Sequence, residues 1–183
     1  MRNFPQLNGF KRAPGIVRLI GHRGARGLMP ENTLEGFEYT LDLDVRALEF
    51  DVLISKDNVP IITHDDRLSA AITRNKSGEW LTNNCPKVNE LTLSELKQFD
   101  VGGLDQHSIY GKNYPHQKFL SGVRIPKLSE LLDLVCSQKN KNIYLLLEIK
   151  PTPSQNITNV VRQIVTEISE KKLFHCTVLH SFD

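Results

Sequence analysis

The sequence predicts an α/β fold in which buried parallel strands alternate with amphipathic helices. Four short apolar runs, at residues 16–20, 45–48, 143–147 and 177–179, each lead directly into polar residues. Near-continuous apolar runs of this length are typical of strands buried on both faces, as in a parallel sheet. Helical patterns lie between the runs. In such a fold the functional groups gather at the carboxyl ends of the strands, which is where each run meets its polar residues.

The first run ends at Gly21-His22-Arg23-Gly24, and a helix is predicted shortly after it. Asn32 is a favourable N-cap residue, and Glu35 three positions later completes a capping pattern. Leu34, Phe37 and Leu41 then fall on one helical face.

Two further helices are predicted in the second half of the chain. In each of them apolar residues recur at the i, i+3, i+4, i+7 spacing of a helix with one buried face. The first carries Leu128, Leu131, Leu132 and Val135, and the second, behind Pro153, carries Ile157, Val160, Val161, Ile164, Val165 and Ile168.

The second apolar run continues through Glu49-Phe50-Asp51 towards a turn signal at Lys56-Asp57-Asn58, and residues 59–64 follow it. A tight hairpin centred on Asp57-Asn58 would place His64 opposite Asp51. A separate parallel strand fits the sequence as well.

Residues 65–125 break the rhythm of strands and helices. They are rich in Asn, Lys, Gly, Ser and Gln, and a capping box at Thr92–Glu95 is their clearest helix signal. Because a segment this long inside a compact domain is usually functional, we expect an insertion that caps the site. An exposed decoration that stabilises one edge of the fold is the alternative.

Composition excludes several classes of protein. The 183 residues are 39% apolar and 24% charged, with a formal net charge of +2, which is typical of one globular domain over residues 1–183. So small a charge gives no reason to expect nucleic acid as a partner. The three cysteines form no metal-binding or disulfide pattern, and no apolar run reaches the length of a signal peptide or a membrane span. We therefore expect a cytoplasmic protein, unless a leader has been removed.

Three acidic residues at strand ends predict a metal site. Glu49 and Asp51 are two residues apart, so their side chains share one face of a strand, and Glu148 ends another apolar run. Like charges side by side are costly unless a cation compensates them, and oxygen ligands favour Mg²⁺ or Ca²⁺. Acidic residues at strand ends can also be merely solvated.

Two histidines and two cations complete the candidate site. His22 and His64 follow apolar runs and could exchange protons near neutral pH. Arg23 and Lys150 could pair with phosphate oxygens. Taken singly, each histidine could be an ordinary buried or capping residue, and each cation could form a simple salt bridge. The prediction rests on their convergence with the carboxylates.

Five motifs in order, and two further matches, resemble one enzyme family. They are Gly21-His22-Arg23-Gly24, Pro30-Glu31-Asn32-Thr33, Glu49-Phe50-Asp51-Val52, Thr63-His64-Asp65, Leu147-Glu148-Ile149-Lys150-Pro151, Arg124-Ile125-Pro126-Lys127-Leu128 and Ser181-Phe182-Asp183. From about Ile16 to the last residue, the chain resembles the glycerophosphodiester phosphodiesterases.

The resemblance implies a TIM-barrel fold and metal-dependent hydrolysis of glycerophosphodiesters, such as glycerophosphocholine, to glycerol 3-phosphate and an alcohol. By the same resemblance His22 and His64 are the acid–base pair, and Glu49, Asp51 and Glu148 bind the divalent cation. Arg23 and Lys150 then face the phosphate, and Glu31 supports the site. A lipid phosphodiesterase that releases a cyclic product would use the same residues.

The length implies a barrel truncated to about its first half. A complete barrel of this kind needs roughly 250 residues, and the insertion takes up part of the chain. An open parallel sheet exposes strand edges, so we expect self-association that completes the barrel. A gene fragment, or a chain end rearranged over the opening, is also compatible. A catalytically inactive remnant that binds metal and phosphate is the alternative to an active enzyme.

Overall fold

The computed structural model describes residue 15 and residues 17–138, 142–152 and 156–182. The strands are β1 (Gly21–His22), β2 (Ala47–Ile54), β3 (Pro60–Ile62), β4 (Tyr144–Ile149) and β5 (Thr177–His180). The α-helices are α1 (Leu34–Asp42), α2 (Leu93–Leu96), α3 (Ile109–Lys112), α4 (Leu128–Ser137) and α5 (Ile157–Glu170). Single 3₁₀ turns lie at Val88–Glu90 and Phe174–Cys176.

Four strands form a parallel sheet in the order β1-β2-β4-β5. Helix α1 connects β1 to β2, α4 precedes β4, and α5 connects β4 to β5. The α/β fold with a parallel sheet is therefore confirmed, and it is consistent with a TIM barrel. The register pairs His22 with Glu49, and Asp51 with Glu148, so the polar ends of three strands meet at one edge.

The strand predicted at residues 16–20 is wrong in its position. Pairing with β2 is confined to Gly21 and His22, and residues 17–20 have no regular structure. Val17 is 85% exposed and Leu19 is 66% exposed, so their apolar character does not reflect burial on both faces. Ile16, Pro153 and Asp183, which also entered the predictions, lie outside the described residues.

The main core lies between the sheet and the helices α1, α4 and α5. Phe37 of α1 packs edge-to-face on Phe50 of β2, with ring centroids 5.9 Å apart. The predicted helical faces are confirmed except at Ile157, which is 46% exposed; Leu131 of α4 and Ile164 of α5 are fully buried in this core. Burying side chains of this size contributes about 1.5–3 kcal/mol each to stability.

Helix α1 begins one residue later than predicted. Its N-cap is Thr33, whose Oγ1 accepts a hydrogen bond from the Gly36 N–H at 3.1 Å. Asn32, the predicted cap, has a φ of +54° and turns its side chain towards Asp51. Asparagine tolerates this left-handed backbone better than most residues. Its side chain here bonds to Asp51 on β2 and does not cap the helix.

Of the two alternatives for residues 59–64, the structure has the hairpin, but its register differs by one residue from that of a hairpin centred on Asp57-Asn58. Strand β3 runs antiparallel to β2, with Ile54 opposite Pro60. The Thr63 N–H bonds to the Asp51 carbonyl at 3.1 Å, so Thr63, and not His64, lies opposite Asp51. The cause is a three-residue turn over 56–58 in which Asn58 has a φ of +62°, in place of the two-residue turn that the prediction assumed.

Residues 65–125 include a second apolar cluster, which extends to the β2–β3 hairpin. Its buried members are Leu53, Ile61, Leu68, Val88, Leu96, Val101, Val123 and Ile125. The capping box at Thr92 is confirmed, with side-chain and backbone bonds to Glu95 in both directions. Arg74 is buried against the rings of Trp80 and Phe119 and pairs with Asp100 at 3.0 Å. We call residues 65–125 the cap segment; its role as an insertion stays a prediction.

Among the described residues, no helix combines the length and apolar character that crossing a bilayer requires.

Candidate active site

The loop after β1 depends on two glycines that hold it close to α1. A Cβ on Gly24, whose φ is +79°, would lie 3.0 Å from the Gly36 backbone. A Cβ on Gly21 would lie 2.6 Å from both the Gly24 carbonyl and the Thr40 side chain. Only glycine fits these two positions without displacing α1. The loop therefore presents His22 and Arg23 at a fixed place on the carboxyl edge of the sheet.

Three carboxylates cluster at that edge. One oxygen from each of Glu49, Asp51 and Glu148 lies within 4.8 Å of the other two. The parallel register explains the cluster, because Glu49 and Asp51 share a face of β2 and Glu148 lies beside Asp51 on β4. Asp51 is 1% exposed and Glu148 is 8% exposed. Burial raises the pKa of Glu49, and the charges of Asp51 and Glu148 raise it further. The hydrogen bond from the Arg23 N–H lowers this pKa but does not outweigh the other effects.

Two cations interleave with the carboxylates. Arg23, at a φ of +51°, donates its backbone N–H to Glu49 at 3.0 Å and a guanidinium N–H to Glu31 at 2.8 Å. Its Nε lies 3.4 Å from Asp51. Lys150 donates to Glu148, and its Nζ lies 3.2 Å from Asp51. Both cations are thus engaged with carboxylates, as the salt-bridge alternative requires.

The charge of this group fits a divalent cation. Four carboxylates, those of Glu31, Glu49, Asp51 and Glu148, face two cations, which leaves two formal negative charges at the sheet edge. Like charges at such distances are costly unless a cation offsets them. The three clustered ligand oxygens are of the kind that Mg²⁺ and Ca²⁺ prefer.

His22 is half-exposed and lies beside the cluster. Its Nε2 is 3.6 Å from a Glu49 oxygen, and its Nδ1 is 3.0 Å from Nη2 of Arg26. Since a guanidinium can only donate, Nδ1 accepts, and the neutral ring carries its proton on Nε2. Partial burial lowers the pKa of His22, and the positive charges of Arg26 and Arg23 lower it further.

His64 has the opposite arrangement. Its Nδ1 lies 2.6 Å from Asp65 Oδ1, and since the ionised carboxylate accepts, the proton sits on Nδ1 and the Nε2 lone pair is left available. This hydrogen bond holds the pKa of Asp65 below its ordinary value. His64 shares a pocket with Glu148, Lys150 and Phe182. All eight predicted site residues therefore lie at one edge of the sheet.

Sequence reasoning missed three residues that contact this group. Asn32 donates from Nδ2 to Asp51 Oδ2 at 2.9 Å, and Arg26 donates to His22. Tyr110, from the cap segment, donates its hydroxyl to Glu31, and burial together with the Glu31 charge raises the pKa of Tyr110. The position of Asn32 beside Glu31 was a usable signal. A lone tyrosine some eighty residues further along the chain gave none.

Comparisons with known proteins agree with this arrangement. Residues 22–174 match the profile described as the glycerophosphoryl diester phosphodiesterase family. A crystal structure from Silicibacter pomeroyi, provisionally named as a glycerophosphoryl diester phosphodiesterase, superposes with a TM-score of 0.95 at 46% identity, covering 99% of this chain and 63% of that one. YhdW of Bacillus subtilis, provisionally named a glycerophosphodiester phosphodiesterase, is 34% identical over 152 residues, which are 82% of this chain and 52% of YhdW.

A third relative carries a ligand. The structure of an Oleispira antarctica phosphodiesterase in complex with the product sn-glycerol-3-phosphate has a TM-score of 0.66 at 28% identity, covering 92% of this chain and 58% of that one. The chain thus spans between about half and two thirds of the length of these three relatives. Because the profile match extends over most of the sequence, the chain belongs to the glycerophosphoryl diester phosphodiesterase family.

Proposed function

We propose that this chain carries the metal- and phosphate-binding part of an active site that hydrolyses glycerophosphodiesters, such as glycerophosphocholine, to glycerol 3-phosphate and an alcohol. One observation carries the proposal: three clustered carboxylates, two cations and two histidines meet at one edge of the sheet. The product complex of the Oleispira relative supports the choice of substrate class.

Glu49, Asp51 and Glu148 are the residues that would hold a divalent cation, Mg²⁺ or Ca²⁺. When bound, such an ion polarises a phosphoryl oxygen and offsets the charge that develops on it. Asn32 holds one oxygen of Asp51 through its amide, which orients that carboxylate.

Arg23 and Lys150 bind the phosphate group in this proposal. Both cations lie against Asp51, and Glu31 fixes the guanidinium of Arg23 through a 2.8 Å hydrogen bond. Tyr110 in turn holds Glu31. Cations that are already oriented stabilise charge on the transferring phosphoryl group without reorganising during the reaction.

The hydrogen bonds of the two histidines support a different role for each of them. His64 donates from Nδ1 to Asp65, so its Nε2 can accept the proton of the attacking water. His22 carries its proton on Nε2, where it can donate to the departing alcohol oxygen. The water oxygen forms the new bond to phosphorus, and the bond from phosphorus to the alcohol oxygen breaks. His64 takes one proton from the water, and His22 gives one proton to the alcohol oxygen.

Release of glycerol 3-phosphate from glycerophosphocholine tests the proposal. We expect turnover that EDTA abolishes and that His22→Ala or His64→Ala reduces by about 10²-fold or more. His116→Ala alters an exposed histidine of the cap segment and serves as the matched control. Full turnover in EDTA, or in the double histidine variant, contradicts the proposal. Tight cation binding without any turnover favours a module that only binds metal and phosphate.

Self-association remains a prediction that follows from the sheet. In the part of the chain that the structure describes, β1 and β5 are the edge strands of the parallel sheet. An unpaired strand edge favours pairing with another chain. Size-exclusion chromatography with light scattering tests this expectation, and a monomer that melts cooperatively counts against it.

A further inference from the structure

Arg26 makes a contact with His22 that the proposed reaction does not by itself explain. Its Nη2 lies 3.0 Å from His22 Nδ1, on the ring edge that faces away from Glu49. An arginine is always protonated and only donates, so this contact admits a ring whose Nδ1 is unprotonated. The proton of a neutral His22 then lies on Nε2, the nitrogen nearest the carboxylate cluster.

The cap segment holds Arg26 in place through three contacts. The Tyr114 ring lies under the guanidinium, with its centroid 5.0 Å from Cζ, and the Tyr110 hydroxyl lies 3.4 Å from Nη1. Gln117, which is 9% exposed, donates from Nε2 to the Arg26 carbonyl at 2.7 Å. The rings of Tyr110 and Tyr114 also pack edge-to-face, with centroids 5.3 Å apart. Side chain and backbone of Arg26 are thus both anchored to the same segment.

His22 needs such an anchor because little else confines its ring. Its side chain is 53% exposed, and its Nε2 is 3.6 Å from Glu49, which is too long for a strong hydrogen bond. A half-exposed imidazole with one weak contact samples both tautomers and more than one rotamer. A fixed donor on Nδ1 removes that freedom before a substrate arrives.

We propose that Arg26, anchored by Tyr110, Tyr114 and Gln117 of the cap segment, is a positioning residue that fixes the orientation and the Nε2–H tautomer of His22. The cap segment then acts on the chemistry through this arginine, in addition to covering the site. The proposal rests on the proposed role of His22 in phosphodiester cleavage.

Arg26→Met tests the kinetic consequence, because methionine keeps the apolar stem and removes the donors. We expect kcat for glycerophosphocholine to fall by about 10–10²-fold, since misplacing a catalytic group by about 1 Å has an effect of this size, while KM changes by less than about threefold. Arg26→Lys keeps one charged donor and should recover part of the loss. Arg46→Met removes an exposed arginine that pairs with Asp44, and its turnover should match the wild type.

The tautomer of His22 can be determined by NMR, without measuring turnover. In protein labelled with ¹⁵N-histidine and kept at a pH where the ring is neutral, the His22 signals, identified by their loss in His22→Gln, should show a protonated Nε2. Arg26→Met should show a mixture of both tautomers. Tyr114→Leu leaves His22 and Arg26 unchanged and should shift the signals in the same direction, which keeps the test usable should Arg26→Met fold poorly.

Each outcome bears on one claim. A wild-type His22 with its proton on Nδ1, or a kcat for Arg26→Met equal to that of the wild type, overturns the positioning role. If His22→Ala still abolishes turnover in that case, the proposed function stands without it. If the chain shows no turnover, the proposed function fails and the ¹⁵N spectra alone decide whether Arg26 sets the tautomer.

Discussion

Replacing Glu49 by glutamine is expected to stabilise the protein in the absence of divalent cations and to weaken its cation affinity. The substitution keeps the shape of the side chain and an oxygen that can accept the Arg23 N–H. It removes one negative charge from a buried group of four carboxylates and two cations. The raised pKa of Glu49, caused first by burial and then by Asp51 and Glu148, indicates that its charge opposes folding.

The distances set the size of the effect. The ligand oxygens of Glu49, Asp51 and Glu148 lie within 4.8 Å of one another. Two unit charges at that separation repel by about 3 kcal/mol at an effective dielectric constant of about 20. Arg23 and Lys150 offset most of this repulsion, so we expect a net gain of about 1 kcal/mol. In a chain of this size that gain raises Tm by about 2–4 °C.

Thermal unfolding with and without cation provides the assay. In EDTA at pH 7, Glu49→Gln should melt above the wild type. Mg²⁺ or Ca²⁺ at a hundred times the wild-type Kd should stabilise the wild type by about 2.7 kcal/mol, or about 5–11 °C, and the variant by far less. Glu38→Gln changes an exposed glutamate of α1 and should alter neither value.

Two results would refute this reasoning. If Glu49→Gln melts below the wild type in EDTA, the Glu49 charge supports the fold, and its attraction to the neighbouring cations outweighs its repulsion from the other carboxylates. If the variant keeps the full cation-induced shift, Glu49 is not among the residues that hold the ion.

The remaining predictions concern the two apolar clusters and their surroundings. Leu131→Ala should lower the free energy of unfolding by about 2–5 kcal/mol, because Leu131 is fully buried against the sheet. Leu134 on the same helix is only partly buried, so Leu134→Ala should lower this free energy by less than half as much. Urea unfolding measures both values. Burial opposes ionisation of Asp100, but the N–H groups of Gly122 and Gly102 and the charge of Arg74 outweigh it and hold its pKa below the ordinary value. The stability that Asp100 contributes is therefore present above a pH of about 4 and is lost as the pH falls through the lowered pKa. Asp100→Asn should cost about 3 kcal/mol at pH 7 and much less near pH 2, and equal costs at both pH values would exclude this account.

The sequence was sufficient to predict three of the four parallel strands and the carboxylate cluster. A strand alternates its side chains strictly, so Glu49 and Asp51 had to share a face wherever the strand lay. Parallel strands carry their carboxyl ends to the same edge, which brought Glu148 to them. Helices α1, α4 and α5 followed from periodicity alone, because each buries one stripe of apolar residues.

What the sequence did not reveal depends on contacts between distant segments. Residues 17–20 are exposed and lie outside the described sheet, and an apolar run in a sequence does not show whether its residues are buried. The position of His64 depended on whether the turn has two or three residues, which the Lys56-Asp57-Asn58 pattern leaves open. Tyr110 reaches Glu31 only because the cap segment folds back over the loop after β1.

The three-residue turn at 56–58, between β2 and β3, limits how the length of the chain can change at that point. Surface turns commonly absorb an added or a deleted residue at little cost. Here an added residue at 56–58 that shifts the pairing of β3 with β2 by one position would turn the side chains of β3 to the opposite side of the sheet, and His64 lies only two residues beyond β3. The length of this turn can therefore matter as much as the identity of the three clustered carboxylates, and variants engineered at 56–58 should keep its three residues.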